Sequence, residues 1–374
     1  MPNAHIDDTV IVHKDRFAYI SHPSIAVLAD GRWLAAFNHS RRREPRAHPP
    51  GDPFFRTLLT SSADHGATWC DPWFAPDFDW YGTECPGIAQ LRDGTVLLTQ
   101  FRFNWYPLGL ARKRRAAGER ISIRPQGGSW TEQFDEQDWA RSMHTWARAN
   151  RGVYSHLSRD GGDTFEHTAT IDCDPYIDGY SRTGVCELVD DRLAYALTEH
   201  HPPNCHNTFI VFSADGGASW QKPVLIAREP NSDFGEPDIA EVAPGRLTCI
   251  LRTSGHGDLL YGCHSADGGR TWTDPQPTPM EGGPGQLLML RDGRLLCTYG
   301  RRKAPFGIRA CLSNDGGRTW QIDSHIVIRD DMPNSDLGYP TTIEYDAGRL
   351  FCCYYGQTTD GVTCVQGTHV RLDA

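Results

Sequence analysis

Ser62-Ala-Asp64-His-Gly66-Ala-Thr68-Trp69 decides the reading of this chain, because near copies of it return from Ser158 to Phe165, Ser213 to Trp220, Ser265 to Trp272 and Ser313 to Trp320. In such a stretch the Asp and Ser/Thr side chains bond the turn's own backbone. Glycine takes the unusual dihedral, and the aromatic residue plugs the space between sheets. Working outward from each copy, a second repeat appears, a tight turn between two apolar runs. It is AVLADGRWLAAF around Gly31, AQLRDGTVLLTQF around Gly94 and CELVDDRLAYAL around Asp191, then AEVAPGRLTCIL around Gly245, LMLRDGRLLCTY around Gly293 and TIEYDAGRLFCCYY around Gly348. Asp-Gly between β-prone runs is a hairpin signal. Self-similarity at a period of tens of residues defines a whole architecture, so six hairpins interlocked with five boxes outrank any local reading.

The box resembles the Asp-box repeat of the sialidase superfamily, where it is a structural turn between the third and fourth strands of a propeller blade. The resemblance implies an all-β fold, a six-bladed β-propeller of four-stranded antiparallel blades, filling residues 1–374 as a single domain. The sixth hairpin has no box after it, and the strand DTVIVH around Val10 to Val12 is expected to pair into that last blade and close the ring, removing exposed edges. Gly94 is separated from the next box aspartate, Asp160, by 66 residues, against 22 to 33 in the other blades. Blade two therefore carries an insertion at about 103–150, read either as a solvated surface excursion or as a lid or a homo-oligomer contact.

Composition narrows the partners. Hydrophobic residues at 39% and charged residues at 22% suit a globular chain, and a net charge of −10 argues against nucleic acid as the main partner. No apolar stretch approaches the length of a membrane span, and MPNAHIDDTVIVHK does not read as a signal peptide, so the expected location is cytoplasmic, with no membrane partner. The twelve cysteines include no CxxC pair, and several sit inside strand-like runs, which reads as free, buried thiols.

In a propeller the first strand of each blade lines the central channel. The residues just before each hairpin should therefore gather at one mouth: Ser21-His22-Pro23, Thr83-Glu84-Cys85-Pro86, Ser181-Arg182-Thr183, Gly235-Glu236-Pro237-Asp238, Gly283-Pro284-Gly285 and Gly338-Tyr339-Pro340. The second strands end near the same place, bringing in Glu199-His200-His201, Arg252, Arg301-Arg302 and Tyr355.

Within this set the resemblance to sialidases implies roles. Glu236-Pro237 with Arg252 sixteen positions on looks like the pattern in which a Glu partners the nucleophile and an Arg grips the substrate carboxylate. Asp336-Leu-Gly-Tyr339-Pro looks like the segment that presents the tyrosine nucleophile. Arg301 or Arg302 matches a second carboxylate arginine, and Asp52 the acid/base. His22, Glu84, Arg182 and His200 are further candidates for substrate binding. The family's first-blade Arg-Ile-Pro segment is replaced by Ser21-His22-Pro23, so one arginine of a three-arginine clamp is missing.

The implied activity is exo-acting hydrolysis of a terminal acidic sugar from a glycan or oligosaccharide, with an acidic mono- or oligosaccharide substrate as partner and without a cofactor. Two other readings stay open. One is a lyase or rhamnosidase-like chemistry using His22 or His200 with Tyr339; the other is a glycan-binding propeller without catalysis. Glu199-His200-His201 with His206 is a weak metal motif, because adjacent histidines on a strand point to opposite faces, and no metal is expected there.

Overall fold

The computed structural model describes residues 4–43, 51–76, 81–199, 207–228 and 233–373. Among them lie six antiparallel sheets arranged as the blades of a propeller. Strand β1 (Ala4–His13) precedes blade one, which is β2 (Ala18–Val27), β3 (Trp33–Arg41), β4 (Arg56–Ser62) and β5 (Trp73–Phe74). Blade two is β6 (Tyr81–Gln90), β7 (Val96–Pro107), β8 (Trp146–Ser158) and β9 (His167–Ile171). In blade three the innermost strand is split into β10 (Gly179–Tyr180) and β11 (Cys186–Glu187), which both pair with β12 (Leu193–Glu199), followed by β13 (Thr208–Ser213) and β14 (Val224–Ala227). Blade four is β15 (Asp233–Ala243), β16 (Arg246–Ser254), β17 (Leu259–Ser265) and β18 (Gln276–Glu281). Blade five is β19 (Gly285–Met289), β20 (Leu295–Arg301), β21 (Gly307–Ser313) and β22 (Ile326–Arg329). Blade six is β23 (Gly338–Asp346), β24 (Arg349–Gln357) and β25 (Thr363–Leu372), completed by β1, with Val10 opposite Gly367. The N-terminal strand thus closes the ring and leaves β25 no open edge.

Packing follows from alternation along the strands. Each pair of adjacent blades encloses its own buried apolar cluster, such as Ile20, Phe37, Phe351 and Tyr355 between blades one and six, or Ile210, Phe212, Leu247 and Leu251 between blades three and four. The split in the innermost strand of blade three lies where its backbone crowds blade two. A Cβ on Gly87 would fall 2.3 Å from the Thr183 carbonyl oxygen, so only glycine allows this approach. Innermost strands of all six blades line a central cavity of about 510 Å³ on the hairpin side of the ring, with Ile25, Ile88, Val185, Ile239, Leu288 and Ile343 in its wall.

Each box connects the third and fourth strands of its blade. In the first, Ser62 Oγ accepts from Gly66 N at 2.8 Å, while Thr68 N and Thr68 Oγ1 donate to the two Asp64 oxygens at 2.8 and 2.6 Å. The Thr68 bonds, side chain first and then backbone, with the Ser62 hydroxyl, hold the Asp64 carboxyl down at about 2; Asp160 and Asp267 are held there by equivalent threonines. A carboxyl whose folded value lies below its unfolded value adds stability that is present above pH ~4 and lost as pH falls toward 2. Asp64→Asn is therefore expected to lower the melting temperature at pH 7, with the gap to the parent protein closing between pH 4 and 2. Calorimetry across that window checks it, and a gap independent of pH would contradict it.

The blade-two insertion differs from the expected 103–150 at both ends. Strands β7 and β8 stay paired out to Pro107 opposite Trp146, so the irregular part is 108–145. It holds helix α1 (Leu108–Ala116) and a small apolar cluster of its own, with Ala111, Ile121, Ile123 and Trp139 buried. Trp146 Nε1 donates to the Gly51 carbonyl at 2.9 Å, and Arg120 reaches Asp178 at 2.6 Å, tying this hairpin to blade one and to blade three. No helix among the described residues is long and apolar enough to cross a membrane.

Candidate active site

Four innermost strands share one local distortion. β2, β6, β15 and β23 each carry a register shift, between Ser21 and Ser24, Glu84 and Gly87, Gly235 and Asp238, and Gly338 and Thr341. At each shift a residue preceding proline takes a left-handed backbone: His22 at φ 51°, Cys85 at 47°, Glu236 at 43° and Tyr339 at 48°. Side chains with a Cβ avoid this region, and proline disfavours helical backbone in the residue before it, so each position carries local strain of about 1–3 kcal/mol. A bulge re-aims a side chain that regular alternation would send into the sheet. Repeated in four blades, it gathers His22, Cys85, Glu236 and Tyr339.

Tyr339 Oη donates to Glu236 Oε1, and Arg252 donates to Glu236 Oε2 at 2.5 Å. Burial pushes the Glu236 carboxyl up, but the Arg252 charge, the hydrogen bonds from Tyr339 and Arg252, and the Arg302 charge outweigh it and leave it below the usual carboxylate range. Tyr339 moves the other way: burial, then the Glu236 charge, hold its phenol well above the ordinary value against the pull of Arg252 and Arg302. At neutral pH the pair is a phenol hydrogen-bonded to a carboxylate.

The two candidate arginines at the end of β20 separate in space. Arg301 is paired with Glu281 at 3.3 Å, and Lys303 approaches the same carboxylate at 2.7 Å. Arg302 turns the other way, its guanidinium carbon 5.6 Å from the Tyr339 ring centre, and its Nε and one terminal nitrogen are buried without a protein partner among the described residues. Around Glu236, then, two guanidinium groups face one carboxylate, an excess of positive charge that suits an anion.

His22 lies edge-on to Tyr339 with ring centres 4.2 Å apart, and its Nδ1 is 3.0 Å from Ser21 Oγ. Glu84 and Cys85 sit beside it, both buried, with Cys85 Sγ 3.0 Å from the Tyr180 hydroxyl. Burial raises the Glu84 carboxyl to about 8, with Arg148 opposing and Glu236 adding to the rise. Arg148 comes from the insertion hairpin and is clasped between the rings of Phe103 and Trp130, at 4.5 and 4.7 Å. On the far side Tyr355 Oη and Tyr19 Oη both donate to Asp336, at 3.1 and 2.7 Å.

Of the remaining sequence candidates, Arg182 and Asp52 lie among the described residues. Arg182 is 2% exposed, with its guanidinium carbon 5.6 Å from the Tyr339 ring centre like that of Arg302, but it donates to the Gly285 and Pro340 carbonyls at 3.0 and 2.6 Å, so these hydrogen bonds go to the backbone of blades five and six. Asp52 is buried in the loop before β4, bonded to Arg43 and to the Phe54 amide at 2.8 Å. Phe55, three residues on, brings this loop to within 6.4 Å of the His22 ring, between ring centres. His200, with His201 and His206, lies outside the described residues. Residues the sequence reading did not single out are Cys85, Tyr180 and Arg148. For Cys85 the signal was available, since its X-Pro dipeptide matches those of His22, Glu236 and Tyr339.

The whole chain superposes on the crystal structure of a protein of unknown function from Dyadobacter fermentans, with a TM-score of 0.84, 23% identity and 100% of each chain covered. It is similar in fold to the NanB sialidase of Streptococcus pneumoniae, with a TM-score of 0.71 and 13% identity over 98% of this chain and 71% of that one. The leech intramolecular trans-sialidase gives 0.65 and 14%, over 98% and 70%. No curated protein matches the chain. The fold is thus sialidase-like, and a family model for the BNR repeat-like domain matches residues 138–363, more than half of the sequence, so the chain belongs to the BNR repeat-like domain family.

Proposed function

We propose that this protein is a retaining exo-glycosidase that removes a terminal acidic sugar from a glycan or oligosaccharide. The observation that carries the reading is the chain Tyr339–Glu236–Arg252 with Arg302 beside it, because a site that only binds has no need of a phenol bonded to an ionised carboxylate. Tyr339 attacks the anomeric carbon as its proton passes to Glu236, forming a glycosyl-tyrosine and breaking the glycosidic bond. A nucleophile that is neutral at rest avoids the repulsion a carboxylate would feel toward an anionic sugar. Asp52 is assigned the proton given to the leaving oxygen, and later taken from the water that hydrolyses the intermediate. This role requires the Arg43 pairing to open.

Arg252 and Arg302 hold the substrate carboxylate by charge-assisted hydrogen bonds. The position of a third arginine is taken by His22, and the loss of one charged hydrogen bond costs about 1.5–3 kcal/mol. Ordinary sialosides should accordingly be poor substrates, and a sugar whose carboxylate needs only two arginines a better one. A panel of aryl glycosides of sialic acid, its deaminated relative, uronic acids and neutral sugars tests this. Turnover confined to an anionic member other than the common sialosides supports the assignment; fast turnover of a neutral member, unchanged by Arg252→Ala, overturns it.

The geometry of β20 adds a sharper contrast. Arg302→Ala is expected to lower kcat/KM on the best anionic glycoside at least tenfold, whereas Arg301→Ala, which removes one of the two cations at Glu281, should change it less than threefold. Steady-state kinetics of the two variants decide between them, and the reverse order would remove Arg302 from the clamp.

A further inference from the structure

We propose that His22, Glu84 and Cys85 form a binding site for one zinc-class divalent cation at the floor of the channel mouth. This goes beyond the hydrolase reading and does not rest on it. One ligand atom from each of the three lies within 4.8 Å of those of the other two, so shifts of a few tenths of an ångström to about one ångström bring them to tetrahedral ligand spacing. All three are buried, at 2%, 4% and 1% exposure, so they offer a dry, fixed donor set. His22 and Cys85 are two of the four residues that strained, pre-proline bulges aim at the axis, which is a costly arrangement for side chains that merely fill space.

The chemistry of the set is selective. Imidazole, thiolate and carboxylate together are a borderline-soft donor set that suits zinc and its neighbours, whereas calcium and magnesium take oxygen donors. Charge closes as well, since one thiolate and one carboxylate balance a dication while the imidazole stays neutral. Binding releases the Cys85 thiol proton and the Glu84 carboxyl proton to solvent as the metal–sulfur and metal–oxygen bonds form. An arginine at position 22 would place a positive charge here and offer no lone pair. Arg148, whose charge acts on Glu84, is also within the field of Glu132, so it keeps a counter-charge when Glu84 turns to the metal.

The supporting shell is present. Ser21 Oγ engages His22 Nδ1 at 3.0 Å, which orients the ring and assigns Nε2 to the metal, and the Tyr180 hydroxyl, which bonds Glu84, is 3.0 Å from Cys85 Sγ and can turn to a thiolate when Glu84 takes the metal. Three protein ligands leave a fourth position for water or for an oxygen of a bound ligand.

The test is a titration of the reduced, chelator-treated full-length protein with Co²⁺, read by the thiolate-to-cobalt charge-transfer band. The expected result is a band that saturates at one equivalent, is displaced by Zn²⁺, is absent in Cys85→Ser, and needs at least tenfold more cobalt in His22→Gln and Glu84→Gln. No band at saturating cobalt overturns the proposal. A band retained in Cys85→Ser also overturns it, because it places the metal on other cysteines, such as the neighbouring pair Cys249 and Cys263. Should Cys85→Ser not fold, undiminished affinity in His22→Gln is equally decisive against it. The titration contains no sugar, so a protein that binds cobalt yet hydrolyses nothing keeps this site and sinks the glycosidase, while the converse result does the opposite.

Discussion

Tyr339→Phe is expected to lower kcat on the best anionic aryl glycoside by a factor on the order of 10⁴ or more, since removing a covalent nucleophile from an otherwise intact site can cost about 10⁶. The substitution deletes one oxygen. The ring keeps its edge contact with His22, and its neighbour Tyr355 keeps its bond to Asp336, so the fold should survive. What disappears is the donor to Glu236 and the atom proposed to form the bond to the sugar. Circular dichroism should match the parent, the melting temperature should fall less than in Arg252→Ala because Glu236 keeps its counter-ion, and KM should change far less than kcat, since no substrate-holding group is lost. Activity within tenfold of the parent would remove Tyr339 from the chemistry.

Arg252→Ala has the second largest expected effect, because the residue serves two partners. It neutralises Glu236, bonded at 2.5 Å, and it is assigned one side of the substrate carboxylate. Losing a charge-assisted bond of about 1.5–3 kcal/mol accounts for a drop in kcat/KM of roughly 10–150-fold. Freeing Glu236 from its counter-ion adds to this. Without the Arg252 charge, burial pushes the carboxyl upward, and the proton then competes with its role as base toward Tyr339. A fall of about 10³-fold in kcat/KM is expected, with a lower melting temperature, since a buried carboxylate is left without one of its partners. Arg252→Lys should recover part of the charge effect but not the forked contact. Steady-state kinetics and calorimetry on both variants check this, and a neutral effect of Arg252→Ala on an anionic substrate would contradict it.

How much of this was legible in the sequence depends on what repeats. The boxes at Asp64, Asp160, Asp215, Asp267 and Asp315 and the six hairpins recur with nearly fixed spacing, and each copy closes its turn with its own side chains, so local sequence determines local structure. Blade number, strand order and closure by β1 followed directly. The mouth was legible only as a set of segments. Arg301 and Arg302 are adjacent at the end of a strand, where alternation sends one to Glu281 and the other toward Tyr339, and no local signal says which. Arg182 sits in a segment equivalent to those of Glu236 and Tyr339, yet it lacks the following proline. Its chain splits into β10 and β11 instead of bulging, and its guanidinium is drawn to backbone carbonyls of other blades, which are long-range contacts that spacing does not encode. The 66-residue spacing between Gly94 and Asp160 marked the insertion, but spacing does not show that its flanks, with Phe103, Trp105 and Trp146, extend the β7–β8 hairpin beyond the blade.

The central claim is that Tyr339 forms a covalent bond to the sugar. It is tested most directly by incubating the protein with a fluorinated anionic glycosyl fluoride, in which a good leaving group lets the first step proceed while fluorine slows breakdown of the intermediate, and mapping the modified peptide by mass spectrometry. The account predicts one sugar per protein, attached to Tyr339 and absent in Tyr339→Phe. A label on Glu236, Glu84 or Asp52, or turnover of the reagent with no label on any residue, would contradict it.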